Sequence, residues 1–179
     1  MNKSRIRKEI LRIRKKNIFK DPKISFKSIV KFLKEEKIKG KIVGGYYPYN
    51  YEVDVTQILK KFEEENYLIS LPKVKQKSQM DFFYWPTTDP LEVNKYGIPE
   101  PVSDKIKYPD ILLVPLVAFD KYRNRVGYGG GFYDRYIKRI KKIKKITTIG
   151  LAYSFQKVKK IPINEFDMKL DFIITDKQS

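Results

Sequence analysis

Ile111-Leu112-Leu113-Val114-Pro115-Leu116-Val117-Ala118-Phe119 is the most apolar run in this chain. Such a run, continuous rather than alternating, suits a central strand buried on both faces. Shortly after it comes Arg123-Asn124-Arg125-Val126-Gly127-Tyr128-Gly129-Gly130-Gly131-Phe132-Tyr133-Asp134-Arg135-Tyr136, in which four of the nine glycines fall within five positions. The spacing beyond predicts a helix from about Phe132 to Lys145. Strand, Gly-rich turn and helix in that order make the repeating unit of an α/β fold.

On the C-terminal side, Ile146 to Tyr153 reads as another inner strand and Phe172 to Thr175 as the last. On the N-terminal side, Lys3 to about Phe19 predicts a helix with Ile6, Ile10 and Ile13 recurring at helical spacing and Lys3, Arg7 and Arg14 on a basic face. Asp21-Pro22 stops it and starts a second helix, whose buried stripe is Ile24, Phe26, Ile29, Val30 and Leu33 and which Gly40 ends. Lys41 to Tyr47 is a short inner strand, Val55 to about Glu65 a third helix, and Tyr67 to Val74 a second strand. Met80 to Trp85 predicts a more exposed strand, and the proline-rich stretch Pro86 to Tyr108 an ordered loop that covers something. The expected fold is α/β: a single-domain three-layer α/β/α architecture with a mostly parallel central sheet, residues 1–179 forming one domain. A length of 179 residues suits one hydrophobic core.

Composition excludes whole classes of chemistry. The chain has no Cys and no His, so disulfides, thiol nucleophiles, imidazole bases and the usual zinc sites are ruled out. Catalysis must come from carboxylates, Lys, Arg, Tyr and backbone dipoles. Any metal must be a hard cation on Asp or Glu oxygens, best Mg²⁺ beside a phosphate. A net charge of +18, from 39 Lys and Arg against 21 Asp and Glu, raises encounter rates with any polyanion without choosing among them. Lys-rich composition also arises in proteins of hot environments and AT-rich genomes. No window suits a membrane span and no apolar signal core follows the basic start, so a soluble, unexported, cytoplasmic protein is expected.

The glycine turn can hold a phosphate. Glycine lets a ligand approach the backbone, and a helix start offers unpaired N–H groups and a positive dipole end. Arg125 adds a planar cation suited to phosphate. The spacing matches neither a Walker loop nor a dinucleotide fingerprint, and a plain flexible turn is the alternative reading. Asp134, in the first helical turn, is a candidate Mg²⁺ ligand or a simple dipole partner. Asp167 is the candidate second carboxylate, with Asp120 and Asp171 as alternatives.

These residues resemble the 5-formyltetrahydrofolate cyclo-ligases (methenyltetrahydrofolate synthetases). The likeness runs from Lys3 to Asp176. Its strongest piece spans Leu113-Val114-Pro115 through Ala118-Phe119-Asp120 to Arg125–Asp134. Support comes from Lys3-Ser4-Arg5-Ile6-Arg7, Glu52-Val53-Asp54, Leu71-Pro72-Lys73, Gly97-Ile98-Pro99-Glu100-Pro101, Leu151-Ala152-Tyr153 with Gln156, Pro162 to Asp167, and Leu170-Asp171.

The resemblance implies ATP as co-substrate, met by Lys3, Ser4, Arg5, Ile6 and Arg7 of the first helix and by Arg125, Val126, Gly127, Tyr128, Gly129, Gly130, Gly131, Phe132 and Tyr133. It implies that Tyr128 to Phe132 also hold the folate, with Tyr47, Glu52 and Tyr96, and that Asp134 and Asp167 ligate Mg²⁺. Relatives often carry Trp at Tyr96, Lys at Gly130 and His or Asn at Phe166. The implied reaction is ATP- and Mg²⁺-dependent cyclisation of 5-formyltetrahydrofolate, with or without a polyglutamate tail, to 5,10-methenyltetrahydrofolate with release of ADP and phosphate. A monomer without membrane or dedicated nucleic-acid role is expected. The competing reading is a basic RNA-binding module, but Lys spread along the chain makes no patch and no RNA-binding signature occurs. A structural assembly subunit would leave the glycine loop and the acidic candidates unexplained.

Overall fold

The computed structural model describes residues 2–17, 24–75 and 79–177. In chain order these form α1 (Lys3–Asn17), α2 (Phe26–Glu35), β1 (Ile42–Gly44), α3 (Thr56–Glu64), β2 (Leu68–Val74), β3 (Met80–Tyr84), β4 (Leu91–Val93) and β5 (Pro99–Pro101). Then come β6 (Ile111–Val114), β7 (Ala118–Phe119), β8 (Arg125–Val126), α4 (Phe132–Ile140), β9 (Thr147–Ala152), a 3₁₀ turn at Ser154–Gln156, and β10 (Phe172–Thr175). The Asp21-Pro22 stop lies outside the described residues.

The main sheet has the order β10-β9-β6-β1-β2-β3. Every pairing is parallel except β2 with β3. Along β6 the side chains alternate between two cores, as a strand buried on both faces requires. Ile111 and Leu113 join Ile29 and Leu33 of α2 and Leu59 and Phe62 of α3. Leu112 and Val114 join Tyr136, Ile137 and Ile140 of α4. This is the three-layer arrangement expected, with α2 and α3 on one face and α4 on the other. α2 starts where the Ser25 hydroxyl accepts the Ser28 N–H at 3.1 Å. α3 crosses β1 so closely that a Cβ on Gly45 would meet Leu59 Cδ1 at 2.5 Å. A third, smaller core holds Ile6 and Ile10 of α1 against Val117, Ala118 and Val126.

Four features differ from the sequence reading. The apolar run 111–119 is not one strand: it leaves the sheet after Val114, and Ala118–Phe119 pairs instead with Arg125–Val126 as a hairpin. Pro115 lacks the N–H that a continuing ladder needs. The Leu116 carbonyl accepts from Arg14 and Gln156, and the Val117 carbonyl from Gln156. Second, β3 is buried rather than exposed. α4 covers one side through Phe82 against Tyr136, and the 105–107 backbone hydrogen-bonds along its open edge. Third, the stretch 86–108 is not all loop, since β4 and β5 form a hairpin within it. Fourth, α4 ends at Ile140, with Lys144 beyond it bonding the Tyr108 carbonyl and Asp110. No helix among the described residues is long and apolar enough to cross a membrane.

Candidate active site

The glycine loop leaves the hairpin arm β8 rather than the end of the central strand, and delivers Arg125 and the loop to the start of α4. Gly129 and Gly131 need their lack of a side chain, with φ of +105° and +65°. Gly131 is the N-cap of α4, and a Cβ there would lie 2.7 Å from Arg135 Nη1. The Arg7 Nε donates to the Gly127 carbonyl at 2.8 Å, and Arg135 Nη2 to the Gly130 carbonyl at 2.8 Å. At Gly130 a Cβ would meet the Phe132 ring at 2.7 Å. A longer residue there would need Phe132 to turn.

The loop forms one wall of a cavity of about 780 Å³. Lys3 and Arg7 line it from α1, Tyr47 and Glu52 from the segment after β1, Tyr96 from the β4–β5 hairpin, and Asp167 from the turn before β10. All of Arg125 to Asp134 lines it as well. Ser4 and Arg5 do not line it and face solvent. Ile6 is 0% exposed in the third core, so its side chain cannot touch a ligand. Asp120 and Asp171 stand elsewhere with structural work. Asp120 accepts the Tyr122, Asn124 and Ile161 N–H groups, and Asp171 accepts the Thr148 N–H and hydroxyl.

Charge in the cavity is arranged in pairs. Arg125 Nη2 donates to Asp134 Oδ1 at 2.8 Å, and the Met168 N–H donates to the same oxygen at 3.0 Å. Lys3 Nζ contacts both oxygens of Asp167, whose Oδ2 also accepts the Asn164 N–H at 2.7 Å. Met168 follows Asp167 directly, so the two carboxylates come to one side of the cavity, each beside a cation. Among the described residues no three acidic side chains gather into a ready metal cluster. Phe166 is 65% exposed and adds no polar atom.

Aromatic rings line the cavity too, some from the glycine loop itself. Tyr96 meets Phe132 edge to face at 6.3 Å, and Tyr49 meets Tyr128 at 5.5 Å. Glu52, 7% exposed, accepts the Tyr49 N–H at 2.9 Å. Burial pushes its carboxyl up to about 7, against the opposing pull of that N–H and of the Arg14 charge. Burial likewise lifts the Tyr128 hydroxyl to about 12.

Sequence reasoning missed Arg14. The sequence places Arg14 on the basic face of the first helix without a role, yet it is 1% exposed and bonds the Tyr128 hydroxyl. A signal was present: Lys3, Arg7 and Arg14 share one helical stripe, and two of the three already pointed to a ligand.

Fold and cavity together define an α/β enzyme whose cavity is built around a glycine loop at a helix start. A family model described as the 5-formyltetrahydrofolate cyclo-ligase family matches residues 1–176. This chain belongs to that family. It is 32% identical over 142 residues to a 5-formyltetrahydrofolate cyclo-ligase of Haemophilus influenzae, covering 75% of each chain. It is 31% identical over 184 residues to that of Mycoplasma pneumoniae, covering 98% of this chain and 99% of the relative. Among solved structures, a 5,10-methenyltetrahydrofolate synthetase of Aquifex aeolicus superposes with a TM-score of 0.78 at 33% identity, covering 99% of this chain and 91% of that one. The synthetase of Mycoplasma pneumoniae gives 0.73 at 27%, covering 98% and 99%.

Proposed function

We propose that this enzyme cyclises 5-formyltetrahydrofolate to 5,10-methenyltetrahydrofolate at the expense of ATP, releasing ADP and phosphate. The observation that carries the reading is one cavity holding the α4 helix start, the glycine loop, Lys3, Arg7 and Arg125 beside the aromatic wall with Glu52. A triphosphate fits the cationic side and a pterin the aromatic side. We read the chain as one catalytic domain, acting as a cytoplasmic monomer.

The formyl oxygen attacks the γ-phosphorus and ADP leaves, giving an imidoyl phosphate. N10 then attacks the formyl carbon, loses its proton, and phosphate departs as the ring closes. Both nucleophiles belong to the substrate, so the protein needs no Cys or His. Its residues position the reactants and neutralise charge. Arg125, Lys3, Arg7 and the N–H groups at the start of α4 hold the phosphates. Tyr47, Tyr96 and Phe132 orient the folate, and Glu52, titrating near neutrality, can give or take a hydrogen bond at the pterin.

Mg²⁺ fits the residues present. Asp134 and Asp167 are hard oxygen donors joined through Met168, and Asp167 already accepts a cation on both oxygens. They would hold the ion, which would neutralise phosphate charge. An isotope experiment tests the route: ¹⁸O placed in the formyl group should appear in the released phosphate. Unlabelled phosphate would contradict it.

A further inference from the structure

Arg14 lies two helical turns beyond Arg7 on the same stripe of α1. Its Nη1 donates to the Tyr128 hydroxyl at 3.0 Å and the Asn50 carbonyl at 3.3 Å, and its Nη2 to the Leu116 carbonyl at 2.6 Å. None of these acceptors is charged, and Nε has no partner among the described residues. A guanidinium sealed against neutral oxygens is costly to bury. Packing alone would be better served by an apolar residue.

What Arg14 joins is informative. Tyr128 belongs to the glycine loop, while Asn50 belongs to the turn before Glu52. The Tyr128 hydroxyl passes the connection on, donating to the Tyr49 carbonyl at 3.2 Å. Tyr49 in turn donates its N–H to Glu52 at 2.9 Å. One buried cation thus ties the loop to the 49–52 turn, and both line the cavity.

We propose that Arg14 is a positioning residue that couples the two halves of the cavity, holding Tyr128 and the 49–52 turn in one register so that filling either half tightens the other. The inference rests on the reading of the loop as the ATP side and of Glu52 as part of the folate wall. Each half orders the same linked segment, so the second ligand finds it already ordered.

The test is the affinity for the non-hydrolysable analogue adenylyl imidodiphosphate, by calorimetry, without and with saturating 5-formyltetrahydrofolate. The ratio of the two affinities is the readout. A merely structural role lowers both affinities alike and leaves the ratio alone. Wild type should show a ratio of about 5 or more, within the usual range for coupled sites. Arg14→Met and Tyr128→Phe should each bring it towards 1. Should Arg14→Met fail to fold, Tyr128→Phe, which removes only a hydroxyl, decides. An unchanged ratio in Tyr128→Phe overturns the inference, as does a wild-type ratio of 1 with both ligands bound. Wild type that binds neither ligand overturns the functional reading itself, and this inference with it.

Discussion

Asp134 carries two duties on one oxygen, pairing with the buried Arg125 and accepting the Met168 N–H. Asp134→Asn keeps the size and an oxygen for Met168 but removes the charge. Turnover should fall by about 100-fold, while stability should drop only about 1–3 kcal/mol from the weakened pair. Steady-state rates and thermal melts together check this, and a folded variant with wild-type rate and metal requirement contradicts it. Glu52 gives a second, independent readout. Its carboxyl titrates near 7 in the folded chain against an ordinary 4.5, because burial favours the neutral form. The folded state therefore binds the proton more tightly, and the stability from this group is full below about 4.5 and lost as pH rises through about 7. Between pH 5 and 8, wild type should lose on the order of 3 kcal/mol relative to Glu52→Gln in urea titrations. Parallel pH profiles would contradict the shift. That Asp134 and Asp167 line one cavity fits the sequence reading, which picks Asp134 from its place in the first turn after the glycine loop and Asp167 from the loop before the last strand. Glu52's proton affinity was not legible there, because it depends on the tertiary burial of that residue.

Helix α1 behaves as a strap across the hairpin rather than as a member of either layer. Ile6 and Ile10 anchor it in the third core, while Lys3, Arg7 and Arg14 hold Asp167, the Gly127 carbonyl and Tyr128. Ile6→Ala should cost about 2–5 kcal/mol locally, and because that core is separate from the main sheet, the loss should fall on α1. Hydrogen exchange should quicken along α1 while β6 and β9 keep their protection, and ATP affinity should fall. Uniform loss of protection would show that α1 is integral to the global core. The strand–helix alternation behind the main sheet was readable because inner strands and amphipathic helices carry distinct periodicities. Three things were not. The break after Val114 depends on Arg14 and Gln156, distant in sequence, satisfying the freed carbonyls. The burial of β3 depends on α4 packing over Phe82. The β4–β5 hairpin has prolines at both ends of its second strand, which read locally as loop.

The net charge of +18 surrounds a cavity that itself carries more cations than carboxylates. Lys75, ahead of the proline-rich stretch 86–108, does not line the cavity and pairs with Asp81 at 3.3 Å; Lys77 lies outside the described residues. Among the described residues, the cations that line it are Lys3, Arg7, Arg125, Arg135 and Lys138, against Glu52, Asp134 and Asp167. A cationic cavity on a cationic body should draw polyanions. Folate bearing several glutamates should therefore associate faster than monoglutamate in stopped flow. That advantage should shrink between roughly 0.01 M and 0.15 M salt, as the screening length falls from about 30 to 8 Å. Equal rates with equal salt slopes would leave the charge without a steering role.

On the proposed function, this cavity uses ATP to close the ring of 5-formyltetrahydrofolate. The decisive experiment mixes the protein with 5-formyltetrahydrofolate and Mg-ATP and follows the absorbance of the methenyl product. The chromophore should grow in proportion to enzyme, require ATP, and appear in step with ADP. Absorbance no greater than an enzyme-free blank, from folded protein at saturating substrates, would contradict it.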